Sequence, residues 1–580
     1  MELLIKAAAI VTGLEWARWE RLTRAPQETQ DRLLLDIIGR NRATRFGRDH
    51  GFDSIRTPGD YRKRVPVGDY ERFRPYVERA ADHGEPRALT AEPVLSFTLT
   101  SGSTGRPKLI PVTRTTRHNH RQLTRLWYYR ALMDHPGLFG GKLLGVVSPA
   151  VEGHTPAGIP FGAASGLIYE SSPLWIQNAA AVPYEVSRIK DFDAKYYVTM
   201  RLALEHDVSF LGTPNPSTIL KLVETADRHK DELIKDIHDG SIGARWDVPA
   251  SIRGELLRRL TKNPARASWL EKLAGSDGRL RPSAYWPGLQ LIGCWKGGSV
   301  AVRLHELERW FDKTTAIRDL GYMASEAQMS LPVSDSGSAG ILAIDKNFYE
   351  FIPESEIDAA RPVTLDCSEL EEGQVYYVVL TTAGGLYRYD INDLVRVAGF
   401  YNRTPLIEFV RKGRDVTSIT GEKLHVNQVI EAMAQAQSAA GIAVRHFRAW
   451  ADVERSRYAF CVEPVGAAPD TERLSQLLDA LDAALQLANI EYREKRASRR
   501  LGEPVLCLMK AGWFERRSEA ALHRGARDVQ FKAPLLSTAA EDPAEIERIV
   551  GRAGNAGNEA GRGTEPADPG AGDRKLTHPR

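Results

Sequence analysis

The 580-residue chain has few cysteines, no long apolar run and almost no excess charge of either sign. Its four cysteines are far apart in the sequence and match neither a metal-ligand spacing nor a disulfide framework, which favours a reducing, cytoplasmic location. The 78 basic and 75 acidic side chains leave a formal net charge of +3. This near balance does not indicate a nucleic-acid or acidic partner. The N-terminal apolar segment is too short to span a bilayer, and we predict an amphipathic helix that caps the fold.

The rest of the composition is that of a globular chain, with 42% hydrophobic and 26% charged residues. Residues 1–90 have mainly helical patterns, and alternating strand and helix patterns after residue 140 predict an α/β domain with a largely parallel sheet. The Gly- and Pro-rich stretch 153–162 predicts a loop without regular structure. Short β patterns from residue 373 predict a small antiparallel unit, and the pattern changes again near RKGR (411–414).

These changes predict an N-terminal domain over residues 1–412 and a smaller α+β domain over residues 413–540. Residues 551–580 contain seven glycines and three prolines, and bury too little apolar surface to offset the entropy of ordering. We therefore predict a disordered tail over residues 541–580.

The stretch SFTLTSGSTGRPKLIPVT, residues 96–113, places four hydroxyls and two glycines between a predicted strand and a lone lysine. Glycines allow close backbone approach to an anion, and successive N–H groups of such a loop form an anion-binding concavity. A Walker A loop needs Ser or Thr directly after its lysine, whereas Leu109 follows Lys108 here. The stretch predicts a phosphate-binding loop of another kind, with a Ser/Gly-rich surface turn as the alternative.

In the stretch IRDLGYMASE, residues 317–326, a predicted strand is followed by small residues, an aromatic residue and a carboxylate. Ligands of α/β sheets bind at the carboxyl ends of parallel strands. Tyr322 is a candidate to pack on a nucleobase, and Glu326 is a candidate ligand for the Mg²⁺ that bridges phosphates. A turn with a solvated glutamate is the alternative.

The stretch LYRYDINDLV, residues 386–395, places Asp393 directly after Asn392. Asparagine tolerates the left-handed backbone conformation of a tight turn, so we predict a positive φ at Asn392. A carboxylate fixed at Asp393 accepts hydrogen bonds from both hydroxyls of a ribose. Taken singly, the stretch is also a plausible hairpin turn.

SGSTGRPKLIPVT, GYMASE and YRYDINDLV, in this order and at this separation, resemble the three signature motifs of the acyl-acid amido synthetases, the Gretchen Hagen family. This family belongs to the adenylate-forming superfamily, together with the acyl-CoA ligases. Segments such as WPGLQLIGCWKGGS and PLIEFVRKGRDVTSITGEKL extend the resemblance over residues 40–535, and it is closest to the prokaryotic branch. The resemblance implies an α/β fold with a large adenylate-forming N-terminal domain, which combines mostly parallel sheets with a small β subdomain. It also implies a smaller, mobile α+β C-terminal domain.

The resemblance also implies roles for individual residues. The positions it assigns to nucleotide binding are Ser101, Gly102, Ser103, Thr104, Gly105, Tyr322, Ser325, Asp393, Arg411 and Lys412. It assigns catalytic roles to Lys108 and to Lys532, which lies in QFKAP, and metal binding to Glu326. The chain departs from the family pattern at Met323, Asp390, Asn392 and Leu535.

The implied reaction uses ATP and Mg²⁺ to activate a carboxylic acid as an acyl-adenylate, which an amine, such as that of an amino acid, converts to an amide. AMP and pyrophosphate are released. An acyl-CoA ligase or carrier-loading enzyme is one alternative, and a non-catalytic nucleotide- or acid-binding relative is another. The expected partners are a small-molecule acid and an amine, with no nucleic acid and no membrane, and the chain is expected to be a cytoplasmic monomer.

Overall fold

The computed structural model describes residues 2–100, 108–172, 174–298, 304–357, 359, 362–413, 416–417, 419, 422, 424–452, 454–497, 501–523, 535–537 and 539–551. The chain divides into two compact units, one formed by residues 1–416 and 515–535 and the other by residues 417–514 and 536–580. None of the helices in the described part of the chain has the length and apolar character that crossing a bilayer requires.

The N-terminal region is helical, as predicted. Its helices are α1 (Glu2–Leu22), α2 (Pro26–Asn41), α3 (Arg45–Asp49), α4 (Pro58–Arg64) and α5 (Tyr70–His83). Helix α4 begins with a reciprocal capping box between Thr57 and Asp60, and α5 ends at Gly84 in the left-handed conformation. Helix α1 is only partly amphipathic, because it buries Trp16 and Trp19 but leaves apolar side chains exposed on its outer face.

A small sheet carries the glycine-rich stretch. Its elements and the following helix are β1 (Ser96–Thr100), β2 (Lys108–Val112), α6 (Arg114–Asp134), β3 (Lys142–Gly145), β4 (Gly153–His154) and β5 (Pro160–Gly162). Strands β2, β1, β5 and β4 pair in that order, and β3 belongs to the next sheet. The prediction of an irregular loop over residues 153–162 is therefore wrong in part. Phe161 and Gly162 pair with β1 and draw the segment into the sheet.

A parallel sheet lies in the α/β part of the first unit. Its elements after β5 are α7 (Ala164–Ser171), α8 (Leu174–Ala179), α9 (Phe192–Ala203), β6 (Val208–Gly212), α10 (Pro216–Arg228), α11 (Lys230–Asp239), α12 (Ala250–Arg259), α13 (Pro264–Asp277), α14 (Pro282–Tyr285), β7 (Leu291–Gly293), α15 (Leu304–Leu307) and β8 (Ala316–Arg318). Strands β3, β6, β7 and β8 are parallel neighbours in that order. Their short apolar runs suit a sheet that is covered on both faces, which confirms the predicted parallel sheet.

The antiparallel sheet of the first unit is larger than predicted. Its strands are β9 (Ser330–Leu331), β10 (Gly340–Leu342), β11 (Asn347–Pro353), β12 (Val375–Thr382), β13 (Tyr389–Tyr401) and β14 (Thr404–Lys412), paired in the order β11-β12-β13-β14-β10-β9. The predicted start at residue 373 is too late, because the almost wholly buried NFYEFIP segment pairs along its full length with β12.

The second unit is an α+β fold. The elements that follow β14 are β15 (Val416–Thr417), β16 (Leu424–His425), α16 (Val426–Ala440), β17 (Val444–Asp452), β18 (Arg457–Pro464), α17 (Thr471–Ala488), α18 (Ile490–Ala497), β19 (Val505–Met509), α19 (Trp513–His523), β20 (Leu536–Ser537) and β21 (Ile546–Val550). Of these, α19 belongs to the first unit from residue 515 onwards. Strands β20, β17, β18, β19 and β21 form its sheet in that order. One face of α17 is buried and carries Leu474, Leu477, Leu478, Leu481 and Leu485.

The structure corrects one prediction for this unit and brings two of its cysteines together. Strand β21 pairs antiparallel with β19, so the tail predicted to begin at residue 541 does not include residues 546–550. Val550 of this strand is buried, which compensates for part of the entropy of ordering it. Two cysteines that are far apart in sequence, Cys461 and Cys507, lie opposite each other on β18 and β19, and both are buried and form no disulfide.

Candidate active site

Lys108 stands at the start of β2, directly opposite Thr100 at the end of β1. The predicted phosphate-binding residues Ser101, Gly102, Ser103, Thr104 and Gly105 connect these two strands and lie outside the described residues. The Nζ atom of Lys108 lies 3.5 Å from the hydroxyl oxygen of Tyr389 and 5.6 Å from the ring centroid of Tyr70. Tyr70 also donates a hydrogen bond to the Leu109 carbonyl and accepts one from its N–H, which fixes the start of β2.

The GYMASE motif follows the carboxyl end of β8, where ligand-binding residues of a parallel sheet are expected. Asp319 accepts hydrogen bonds from the backbone N–H groups of Lys296 and Gly321, each at 2.6 Å. Burial raises the pKa of this carboxyl group to about 6. Gly321 has a φ of 95°, and a Cβ atom there would lie 2.5 Å from the Ser330 carbonyl oxygen. Only glycine fits this turn, which directs the next residue inward.

Tyr322 and Asp393 join the second motif to the third. The Tyr322 hydroxyl donates a hydrogen bond of 2.7 Å to Asp393 Oδ2, and both residues are buried, with 7% and 2% of their surface exposed. Burial and the adjacent carboxylate raise the pKa of Tyr322 well above its usual value. The Tyr322 ring stacks on Phe409, with centroids 5.7 Å apart.

The predicted positive φ at Asn392 is confirmed, at 56°. The Asn392 N–H donates a hydrogen bond of 2.7 Å to Asp390 Oδ1, and this bond tightens the turn that presents Asp393. The backbones of Lys412 and Arg411, on β14, lie opposite Asp393 and Leu394. The predicted basic residues therefore lie beside Asp393 along the sheet, although their side chains are outside the described part of the structure.

Tyr389 links the first motif to the second. Its hydroxyl donates a hydrogen bond of 3.1 Å to Glu326 Oε1 and lies next to Lys108. Burial and the Glu326 carboxylate raise the pKa of Tyr389, so the phenol stays protonated. Sequence reasoning missed Tyr389 and Tyr70. The alternating aromatic residues of LYRYD were a signal for Tyr389, whereas no local pattern marked Tyr70.

A cavity of about 580 Å³ opens beside these residues in the first unit. Its lining includes Thr98, Pro111 and Val112 from the small sheet, Ser325 and Glu326 from the second motif, and residues of α1, α6, α7 and α8. Glu326 therefore contacts both Tyr389 and the cavity, and its carboxylate oxygens are of the type that Mg²⁺ prefers. The sequence analysis did not identify this cavity.

His120 lines the cavity from α6, with its imidazole beside the side chain of Gln328. Burial lowers the pKa of His120 to about 4, so the imidazole is neutral at physiological pH. Arg117, one helical turn earlier, donates a hydrogen bond of 3.3 Å to Ser96 Oγ. Cationic and neutral polar groups therefore occupy the first turns of the helix that follows β2.

Family models match three consecutive parts of the chain. The GH3 family N-terminal domain matches residues 16–316, the central domain residues 340–412 and the C-terminal domain residues 427–541. The first match alone spans more than half of the sequence. The chain belongs to the GH3 family. The family resemblance that the three motifs carry is thereby confirmed.

This GH3 chain is similar over most of its length to curated plant relatives. It is 25% identical over 540 residues to indole-3-acetic acid-amido synthetase GH3.3 of Arabidopsis thaliana, covering 89% of this chain and 90% of that protein. It is 26% identical over 549 residues to the probable indole-3-acetic acid-amido synthetase GH3.2 of Oryza sativa subsp. japonica, covering 89% of each protein.

Two solved structures share the fold of this GH3 chain. The GH3.15 acyl acid amido synthetase has a TM-score of 0.81 at 23% identity, covering 92% of this chain and 96% of that one. A 2-hydroxyisobutyryl-CoA ligase in its postadenylation state has a TM-score of 0.51 at 15% identity, covering 90% and 92%. The predicted fold of an adenylate-forming enzyme, with a large N-terminal and a smaller C-terminal domain, is confirmed.

Lys532 lies outside the described residues, and its catalytic role stays a prediction. The departures from the family pattern at Asp390 and Asn392 have a structural explanation, because these two residues form the turn that carries Asp393.

Proposed function

We propose that this GH3 chain is an AMP-forming ligase, which activates a carboxylic acid with ATP and transfers the acyl group to an amine, such as that of an amino acid. The observation that supports the proposal is that two tyrosines connect residues of the three motifs. Tyr389 joins Lys108 to Glu326, and Tyr322 holds Asp393. Glu326 also lines a cavity large enough for an acid substrate.

In the proposed first step, an oxygen of the substrate carboxylate attacks the α-phosphorus of ATP, and the bond to pyrophosphate breaks. Lys108 offsets negative charge that builds up on the phosphates, and its contact with Tyr389 holds its ammonium group towards Glu326. Asp393 accepts hydrogen bonds from the ribose hydroxyls. An ionised carboxylate has about four lone-pair sites, so the bond from Tyr322 leaves capacity for both hydroxyls.

We assign the Mg²⁺ site to Glu326. Its carboxylate lines the cavity, is within hydrogen-bonding distance of Tyr389 and supplies the hard oxygen ligand that this ion requires. When bound there, Mg²⁺ would neutralise phosphate charge during the displacement. Tyr389 acts on this carboxylate by fixing its orientation.

In the proposed second step, a neutral amine attacks the carbonyl carbon of the acyl-adenylate, and the bond to AMP breaks. The plant relatives described above are amido synthetases, which favours an amine over a thiol as the acceptor. A thiol acceptor would be coenzyme A, which needs basic surface residues for its phosphates. Arg496, which the sequence places at a basic helix end, is instead held in an ion pair of 3.1 Å with the buried Asp482.

We further propose a cytoplasmic, monomeric enzyme with its domain boundary near residue 412 and with Arg411 or Lys412 as a ribose partner. The four cysteines, all buried and none in a disulfide, fit a reducing compartment. The backbone pairing of Lys412 with Asp393 supports the assignment of the basic partner.

The first step is tested by acid-dependent exchange of labelled pyrophosphate into ATP. We expect exchange only when ATP, Mg²⁺ and a suitable acid are present, and we expect Lys108→Ala to reduce its rate by a factor of about 100–1,000. Lys272→Ala, which removes an exposed lysine on α13, is the matched control and should leave the rate unchanged. A rate that is unaffected by Lys108→Ala would show that Lys108 takes no part in the reaction.

A further inference from the structure

Helix α1 carries apolar side chains on both of its faces. Its inner face packs on the rest of the protein through Trp16 and Trp19, which are buried. Its outer face carries Ile10, Val11 and Leu14, which are 69%, 67% and 66% exposed. A helix that is apolar all round is normally covered on every side. The outer face of α1 therefore calls for a partner that the described part of the chain does not supply.

The exposed apolar side chains of α1 form a continuous stripe, because they recur three or four residues apart. The stripe consists of Ala7, Ile10, Val11, Leu14 and Ala17, all of them exposed. This spacing places them on one side of the helix, over about 15 Å of its axis. Single exposed apolar side chains are common on protein surfaces, whereas a contiguous patch marks an interaction surface.

Basic side chains adjoin the stripe at its C-terminal end. Arg18 and Arg21 continue the same side of α1 and are exposed. The acidic residues of this half of the helix are held towards the protein. Glu15 forms an ion pair of 2.7 Å with an arginine of α6, and Glu20 accepts a hydrogen bond from a tyrosine of β13. Over residues 5–24, the exposed charged side chains are therefore all basic.

This charge pattern distinguishes between the candidate partners of the stripe. A second copy related by a two-fold axis at the middle of the stripe would place its Lys6 opposite Arg18, and a parallel copy would place Arg18 opposite Arg18. Like charges that face each other oppose association. Residues 552–580 contain Leu576 as their only large aliphatic residue, which is too little to cover the stripe. An anionic lipid surface instead suits both the apolar and the basic side chains.

We propose that the outer face of α1 binds the surface of an anionic lipid bilayer. The helix lies in the plane of the interface, with the stripe at the boundary between the headgroups and the acyl chains. Arg18 and Arg21 meet the phosphates of the lipid headgroups. A peripheral contact of this kind needs no spanning helix, although the sequence analysis expected no membrane partner.

Co-sedimentation of the purified full chain with vesicles tests the proposal. We expect binding to vesicles of phosphatidylcholine mixed with phosphatidylserine, release from them at high salt, and much weaker binding to phosphatidylcholine alone. Leu14→Ser should lower the partition coefficient onto the mixed vesicles about tenfold, because it removes an apolar side chain from the boundary. Arg18→Gln should lower it about fivefold, the factor that corresponds to about 1 kcal/mol per basic residue.

Two matched controls make the same changes elsewhere on the surface. Leu487→Ser and Arg258→Gln alter exposed positions on α17 and α12, and both variants should bind the mixed vesicles like the wild type. A fluorophore on Leu14→Cys gives an independent readout, since the four native cysteines are buried. Its emission should shift to the blue with the mixed vesicles, whereas that of the same label on Leu487→Cys should not.

Three results would overturn the inference. The chain fails to bind the mixed vesicles, it binds neutral vesicles equally well, or its binding is unchanged by Leu14→Ser and Arg18→Gln. Analytical ultracentrifugation without lipid tests the alternative partner, and a dimer that Leu14→Ser dissociates would assign the stripe to a second copy and contradict the proposal. Far-UV circular dichroism should be unchanged in every variant, because each substituted side chain is exposed.

Discussion

Two buried tyrosines organise the candidate site. Tyr389 places its hydroxyl between Lys108 and Glu326, and Tyr322 donates to Asp393. Because burial and a neighbouring carboxylate keep both phenols protonated, each acts as a fixed hydrogen-bond donor. The residues proposed to contact ATP are therefore held in position before the substrate binds, which reduces the entropy cost of the reaction.

Asp393 is the residue proposed to bind the ribose. Asp393→Ala removes the acceptor for two hydroxyl donors, so we expect the KM for ATP to rise by a factor of about 10–100. Far-UV circular dichroism should be unchanged if the fold is intact. An Asp393→Ala enzyme with the KM of the wild type would show that Asp393 serves only as the partner of Tyr322.

Glu326 is the proposed ligand of Mg²⁺. Glu326→Gln keeps the size of the side chain and its contact with Tyr389 but removes the charge. We expect a slower pyrophosphate exchange that recovers partly as the Mg²⁺ concentration is raised. Glu271→Gln, on the exposed face of α13, is the control and should show the Mg²⁺ dependence of the wild type. If the exchange rate of Glu326→Gln depends on the Mg²⁺ concentration as that of the wild type does, Glu326 has a structural role only.

His120 makes stability depend on pH. Its pKa is lowered to about 4 in the folded chain, against 6.5 for the free group, so the unfolded chain binds its proton more readily. The neutral imidazole thus contributes stability above pH 6.5, and this contribution is lost as the pH falls towards 4. We expect the free energy of unfolding to fall less in His120→Gln than in the wild type between these pH values, with a difference on the order of 1–3 kcal/mol. Urea titrations of the wild type and of His120→Gln measure these free energies. A difference between the two proteins that stays constant from pH 6.5 to pH 4 would contradict the lowered pKa of His120.

At the scale of elements, strand β13 connects the buried core to the site. Arg388, just before β13, has a φ of 50° and donates hydrogen bonds to both carboxylate oxygens of Glu350 on β11. It also donates to the Val65 carbonyl between α4 and α5. The next residue is Tyr389, so this buried ion pair fixes the start of the strand that reaches Lys108 and Glu326.

Removing one partner of this ion pair should be costly. Arg388→Met leaves the Glu350 carboxylate buried, although Arg62 still pairs with it at 3.0 Å, and we expect a loss of about 3–5 kcal/mol in the free energy of unfolding. The double variant with Glu350→Gln should recover part of that loss, since the buried carboxylate that has lost one of its two cationic partners is then neutral. Chemical denaturation of the single and double variants measures both effects. A single variant as stable as the wild type would show that the ion pair does not hold β13.

The sequence predicted those elements whose signals are local. The parallel sheet followed from short apolar runs between helical patterns, and the turn at Asn392 followed from the residue itself. The contact between Tyr389 and Glu326 joins positions more than sixty residues apart, so no local pattern contained it. The hairpin near Phe161 also depended on a distant strand, because its pairing with β1 outweighs the local preference of glycine and proline for a loop.

At the scale of the whole molecule, the site and the cavity lie in the first unit. The site is built from all three motifs, whereas the cavity is lined by residues of the first two. The cavity was beyond the reach of sequence reasoning, since its walls combine α1, α6, α7 and α8 with the two strands of the glycine-rich stretch. The family resemblance identified the chemistry, whereas the size of the acid pocket emerged only from the packing of these helices. We therefore propose that the motifs activate the acid with ATP and that the helices select it.

The central claim is that an amine accepts the acyl group. Mass spectrometry of the reaction products tests this claim most directly. The purified full chain is given ATP, Mg²⁺ and an acid that supports pyrophosphate exchange, with either a mixture of amino acids or coenzyme A. We predict acyl-amino acid amides and AMP in the first reaction, formed faster as the pH rises towards the pKa of the amine, because the neutral amine is the nucleophile. We predict no thioester in the second. An acyl-CoA product without any amide would contradict the proposed function.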